Sequence, residues 1–294
     1  MITEFAQGST ILVDKPFEWT SFDAVNKLRW HLRQKLGVKK LKVGHAGTLD
    51  LDATGLLVVG VGNGTRLIRF LGDMDKTYSC EFVFGTETDT LDDSGVVTTT
   101  YDMSAPHIDE VRRIITEKFV GDILQVPPMV SALKVDGVRL HELARQGIEV
   151  EREARPIVVH SFTVESTDDP MVIRANVRCG SGTYIRVLGA DLGRALGGGA
   201  HMRTLRRHTT GSYSLDEAST LEEPVLLPVN ALVRHMPVHV LDDAGIDDVL
   251  FGRTRVAWDG DGPWAVTNEQ GDLVAVFELW RERIAKPTVV FGGR

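Results

Sequence analysis

Apolar residues recur at three- and four-residue steps from Phe22 through Val25, Leu28 and Leu32 to Leu36, which places them on one face of a helix. Thr20 and Ser21 offer an N-cap for it and Gly37 a stop. Just upstream, Ser9 to Asp14 is a short β-rich run that ends at Lys15-Pro16. Leu56 to Val61 reads as a buried strand. Tyr78 to Phe84 alternates, with Cys80, Phe82 and Phe84 on one side. The same alternation returns where Met171, Ile173, Ala175, Val177 and Cys179 interleave with Arg174, Asn176 and Arg178, a half-buried strand with a polar face. Helices are predicted over Ile108 to Phe119 and Leu188 to Leu196, the second followed by the turn Gly197-Gly198-Gly199. Past Pro228 the texture changes to short β-like runs at Gly252 to Trp258, Trp264 to Thr267, Leu273 to Trp280 and Thr288 to Phe291. Strands and helices mix without strict alternation, so the pattern favours α+β over a doubly wound sheet. It places a domain boundary near residue 230, with a larger domain over 1–230 and a small β-rich one over 231–294.

Composition agrees with a folded, core-forming chain: 294 residues, 43% hydrophobic and 25% charged. Cys80 and Cys179 stand in apolar, strand-like stretches with no zinc or redox spacing, and read as small buried thiols. The longest apolar stretch, Leu56 to Val61, is far too short to span a membrane, and the first residues lack a basic segment followed by an apolar run. A cytoplasmic protein without a membrane partner is the expectation.

The formal charge of −8 hides an asymmetry along the chain. Lys27, Arg29, Arg33, Lys35, Lys39, Lys40 and Lys42 follow one another with no acid between them. A second basic series runs from Arg174 through Arg178, Arg186, Arg194 and Arg203 to Arg206 and Arg207, broken by Asp191. Acids gather instead at Glu87, Asp89, Asp92 and Asp93, and again at Asp242, Asp243, Asp247 and Asp248. Basic patches on an acidic chain fit selective binding of a folded nucleic acid. Taken alone, the first patch reads equally as a solvated helix face.

The most informative segment is Gly44-His45-Ala46-Gly47-Thr48-Leu49-Asp50-Leu51-Asp52-Ala53-Thr54-Gly55, where glycines, small residues and two acids crowd into a loop before a buried strand. An acid in such a loop is by itself more often a turn former than a catalyst. GHAGTLD followed by ATG, however, resembles the signature of the TruB family of tRNA pseudouridine synthases. Four more segments match that family in order: DKP at Asp14 to Pro16; KTY at Lys76 to Tyr78 with GTETDTLDDSG at Gly85 to Gly95; VPPMVSALKVDG at Val126 to Gly137; and GTYIR with LGGGAHMRTLRR between Gly182 and Arg207.

The resemblance implies an α+β catalytic domain with a mixed, largely antiparallel sheet, followed by a small β-rich RNA-binding domain of PUA type. It implies isomerisation of the T-loop uridine of tRNA, position 55, to pseudouridine, with Asp50 as the catalytic carboxylate and Arg186 as its partner. Tyr78 is implied to stack on the flipped uracil, Tyr184 and Leu205 to line the pocket, and His45 to contact RNA around the vacated position. Asp89 is expected to help position the base or hold its loop, and Lys15 is a weaker candidate of the same kind. Each has a plainer reading: Arg186 as a phosphate ligand, Tyr78 and Leu205 as core residues, His45 as structural, Asp89 as a local hydrogen bonder. Residues 126–153 match the mobile insertion that closes over the T arm, with Lys134 and Arg139 meeting phosphate.

The reaction rearranges one glycosidic bond without redox change, so no cofactor is expected, and Gly60 to Gly64 is read as a turn because it lacks phosphate-loop spacing. The partner is the T-arm stem-loop of tRNA, without a guide RNA, and the chain is expected to act as a monomer. The rival from another class is a tRNA-binding folding chaperone that uses the same residues without chemistry. Two positions depart from the family pattern: Leu51-Asp52 stands where Pro-Leu is usual, and Glu18 where a glycine is usual.

Overall fold

The computed structural model describes residues 8–131, 133–135 and 137–292. In chain order the elements begin with β1 (Ser9–Lys15), α1 (Ser21–Leu36), β2 (Val43–Ala46), β3 (Ala53–Val61), a 3-10 helix (Gly62–Leu71) and β4 (Lys76–Phe84). They continue with β5 (Thr86–Thr88), β6 (Val97–Thr100), α2 (Ile108–Lys118), β7 (Gly121–Gln125), β8 (Lys134–Val135), β9 (Val138–Arg139) and α3 (Leu140–Arg145). Then follow β10 (Arg155–Ser166), β11 (Val172–Cys179), α4 (Ile185–Ala195), β12 (Ala200–Thr210), β13 (Tyr213–Ser214) and β14 (Leu227–Pro228). The last elements are β15 (Val238–Val240), α5 (Asp243–Leu250), β16 (Arg255–Val256), β17 (Trp264–Thr267), β18 (Leu273–Arg281) and β19 (Ile284–Val290). By contacts the chain forms two compact units, one built from residues up to Leu51, Gly55–Gly72 and Gly211 onward, the other from Asp52–Thr54 and Asp73–Thr210.

In the first unit β1 pairs antiparallel with β3 from Ser9↔Val61 to Lys15↔Gly55, and β2 pairs with the far end of β3. Helix α1 packs on these strands through Ala24, Val25, Leu28 and Leu32, against Ile11, Val13, Leu57, Val59 and Val61. Its ends are fixed locally. Thr20 accepts from the Asp23 N–H and Asp23 accepts in return from the Thr20 N–H, a capping box, while Gly37 closes the helix in the left-handed conformation. Phe22, expected on the buried face, is 65% exposed. At about 100° per residue it stands roughly 90° from the centre of the Val25/Leu28/Leu32 stripe, and the buried Ser21 takes the inner place in that turn.

The same unit carries a five-stranded sheet in the order β15-β17-β18-β19-β16, parallel only between β15 and β17. Its core gathers Trp264, Val266, Ala275, Phe277 and Ala285. The 3-10 helix docks on this sheet: Arg66 donates to the Val290 carbonyl at 2.7 Å, and Arg69 pairs with Glu278 and donates to the Thr288 hydroxyl at 2.9 Å. That helix begins where a turn was expected, at Gly62. The β-like run expected from Gly252 to Trp258 reduces to Arg255–Val256, because only these two residues meet β19.

In the second unit the strand order is β12-β4-β11-β10-β7, antiparallel throughout. The buried side of β4 packs Phe82 edge-on to Phe162 at 6.2 Å, and Phe119 extends the cluster. Helix α4 begins at Ile185, three residues before the expected start, since Ile185, Leu188 and Leu192 already form its inner stripe. Gly189 faces the ring of Phe82 so closely that a Cβ there would collide with it, so this glycine sets how tightly α4 lies on β4. The fold class is therefore α+β with largely antiparallel sheets and a β-rich C-terminal part.

Candidate active site

The loop that carries Asp50 leaves β2 after Ala46 and enters β3 at Ala53. Asp50 itself is exposed, and both of its neighbours are tethered inside the first unit. The hydroxyl of Ser21, in the first turn of α1, accepts from the Leu49 N–H at 2.8 Å and donates to the Leu49 carbonyl at 3.0 Å, and Leu49 is buried. On the other side the ammonium of Lys15 donates to the Leu51 carbonyl at 3.2 Å, as well as to the carbonyls of Pro16 and Trp19. Lys15 has no exposed surface and holds this loop from within, the second of the two roles expected for it. Two carbonyl-rich turns are thereby fixed on one buried cation, and the carboxylate between Leu49 and Leu51 projects from a backbone held at both flanks.

His45 lies on β2 opposite Val59, half-buried, and lines an open groove of about 690 Å³ together with Arg29, Lys42 and Arg69.

The other predicted residues belong to the second unit. Tyr78 on β4 faces Val177 on one neighbouring strand and Arg207 on the other, is mostly buried, and borders a cavity of about 330 Å³ with Thr77, Asn176 and His208. Arg207, 1% exposed, hydrogen-bonds the Tyr78 side chain. Burial pulls the Arg207 guanidinium below its ordinary pKa while Tyr78 acts in the opposite sense. Burial, and then the charge of Arg207, also lower that of Lys76. Leu205 is half-buried, two residues before Arg207 and opposite Cys80, and its carbonyl accepts from Thr54.

Tyr184 is the N-cap residue of α4 and has no side-chain capping bond. Its backbone is clamped by the buried amide of Gln125, which accepts from the Tyr184 N–H at 2.8 Å and donates to its carbonyl at 3.1 Å. This fixes the first turn of α4, where Arg186 follows. Arg186 is buried; it donates to the Val130 carbonyl at 2.8 Å and to the Thr90 carbonyl at 3.4 Å, with the Asp92 carboxylate at 3.5 Å. The far oxygen of Asp92 accepts from the Thr90 hydroxyl at 2.6 Å and from Ser94.

Asp92 was not singled out in the sequence, where it is one acid among four in a turn-rich run; Asp89 was. The structure puts Asp89 on the surface, accepting from the Val96 N–H at 2.8 Å, the local role of a turn acid. Only the fold distinguishes the two, by bringing Asp92 against Arg186. The side chains of Lys134 and Arg139, expected to meet phosphate, lie outside the described residues. Among the described residues no group of three or more His, Cys, Asp or Glu is placed to hold a metal, and no helix is long and apolar enough to cross a membrane.

The architecture is shared with the structure of an H/ACA RNP bound to a substrate RNA containing 2′-deoxyuridine, at TM-score 0.74 and 22% identity over 100% of this chain and 87% of that one. A Cbf5-Nop10-Gar1 complex matches at TM-score 0.75 and 24% identity, over 100% and 88%. The fold is that of the pseudouridine synthases.

Residues 33–185 match the N-terminal domain of the TruB family of pseudouridylate synthases, and residues 186–233 the C-terminal domain of tRNA pseudouridylate synthase B. The tRNA pseudouridine synthase B of Thermobifida fusca is 40% identical over 96% of this chain and 98% of its own length. That of Paenarthrobacter aurescens is 40% identical over 96% and 94%. That of Dehalococcoides mccartyi strain 195 is 42% identical over 82% and 81%. The chain belongs to the TruB family and is an isomerase, a tRNA pseudouridine synthase.

Proposed function

We propose that the chain converts uridine 55 in the T loop of tRNA to pseudouridine, with Asp50 as the carboxylate that acts on the sugar. The observation that carries this reading is the bracketed loop: an exposed acid in GHAGTLD whose two neighbours are fixed by Ser21 and Lys15. A catalytic group held by its supporting shell is the arrangement that preorganised chemistry requires.

A uridine in a folded loop has to leave its stack before a side chain reaches its glycosidic bond, at a cost of a few kcal/mol. Tyr78 receives the uracil face, Tyr184 and Leu205 enclose it, and His45 occupies the RNA position it leaves. Asp50 then attacks C1′ as a nucleophile or removes the C2′ proton as a base; either route breaks the N1–C1′ bond, lets the ring turn and joins C5 to C1′ as the carboxylate is released or its proton returned to C2′, after which C5 loses its proton and N1 gains one. Arg186 is the cation for that carboxylate. The Asp92 contact and the Val130 and Thr90 carbonyls orient its guanidinium, which supports the assignment.

The partner is the T arm of tRNA, read without a guide RNA by a monomer in the cytoplasm. Residues 231–294 supply a further RNA-binding surface, and 126–153 close over the arm.

The test is an unmodified tRNA transcript and its isolated T-arm stem-loop, each incubated with the protein and mapped by carbodiimide treatment and primer extension. A single stop at position 55 in both supports the proposal. A stop elsewhere, or none until a second RNA is added, contradicts it.

A further inference from the structure

The open groove beside His45 is built from three elements of the first unit, and nothing in the catalytic assignment uses most of it. Its cationic wall consists of Arg29 from α1, Lys42 at the entry to β2, and Arg69 from the 3-10 helix, with Val43, Gly44 and Ile68 between them. No acidic residue is among those that line it. Arg29 is held in place, donating to the Asn26 amide oxygen and to the Val43 carbonyl at 3.2 Å. Arg69 is fixed on the C-terminal sheet by Glu278 and Thr288 and stacks 4.4 Å from the Phe70 ring, so its charge is shared with Glu278. Lys42 is exposed. At Gly44 a Cβ would lie 3.1 Å from the Ile68 δ-carbon, so a side chain there would begin to fill the floor.

An open trough with fixed guanidinium groups, a solvated ammonium, an uncharged floor and no acid in its lining matches the sign of a phosphodiester strand better than it matches a peptide or a small anion. It opens onto the strand that leads directly into the Asp50 loop.

The geometry points to this groove as the track for the RNA backbone flanking the reacting uridine, with Arg29 and Lys42 as its phosphate ligands; the assignment rests on the RNA-modifying reading above. Phosphate contacts of this kind set register and are read out through salt.

The experiment measures the affinity of an unmodified tRNA transcript for Arg29→Ala, Lys42→Ala and Lys42→Glu, each in an Asp50→Asn background, across roughly 50 to 200 mM NaCl. Arg113→Ala, which removes a surface cation paired with Glu117 on α2, is the control. Each groove substitution is expected to weaken binding about three- to tenfold and to lower the slope of log K against log salt by about one. Lys42→Glu should do more than Lys42→Ala. Unchanged slopes in all three groove variants, or an equal change in Arg113→Ala, would overturn the assignment. Tritium release by the protein with Asp50 intact, from a transcript carrying 5-tritiated uridine, separates the two claims. Release with unchanged slopes sinks the groove alone, and altered slopes without release leave the groove standing while the catalytic reading fails.

Discussion

At the scale of single residues, the site depends on a few buried polar groups that hold an exposed one. Replacing Lys15 by Met removes the buried donor shared by the partly exposed Leu51, Trp19 and Pro16 carbonyls, which should cost about 1–3 kcal/mol in urea denaturation and lower turnover with it. Ser21→Ala removes both bonds to Leu49. It should cost only about 1–2 kcal/mol but reduce kcat at least tenfold, because the displaced backbone carries Asp50. A Ser21→Ala protein that turns over normally would show that the tether is structural only. Glu18 holds φ of 60° where the family pattern has glycine. Glu18→Gly should raise stability by about 0.5–1 kcal/mol, the left-handed cost of a side chain less the added freedom of glycine when unfolded, and thermal melting reads it directly.

Elements were legible in the sequence where burial leaves a simple pattern, either one buried side or an unbroken apolar run such as Leu56 to Val61. Helix α1 announces itself because its stripe, capping box and C-terminal glycine agree, and β4 because Tyr78, Cys80, Phe82 and Phe84 are buried at every second position. Strand β12 gave no such signal. Its register shifts between Met202 and Thr204 and again between Arg207 and Thr209, so the two-residue period is broken twice, and its buried positions include His201 and Arg207. The site divides the same way. The Asp50 loop, Tyr78 and Arg186 are assigned to the site through ordered family motifs, whereas the tethers from Ser21, Gln125 and Asp92 follow from long-range contacts that no local pattern encodes. An element-scale prediction follows from α4: Gly189→Ala drives a methyl into the Phe82 ring and should cost about 1–3 kcal/mol by overpacking, measured as a lowered urea midpoint.

For the whole molecule, stability should depend on pH through two histidines whose surroundings disfavour the charged imidazole. Burial lowers the pKa of His235, despite the opposing bond to the Phe70 backbone, and burial with the charge of Arg255 lowers that of His239, both from 6.5. The folded state resists protonation that the unfolded chain accepts, so their contribution is complete above about pH 6.5 and is lost as pH falls toward the lowered values. The melting temperature should therefore drop between about pH 7 and 5.5, and His235→Gln should flatten part of that drop. A melting temperature constant over that range would contradict the lowered imidazole pKa values.

The most direct test of the account is tritium release from a tRNA transcript carrying 5-tritiated uridine, comparing the protein with Asp50→Asn. The account predicts release by the protein and none by the variant, with tRNA affinity changed little between them. Equal release from both, or tight binding with release from neither, would contradict the role given to Asp50.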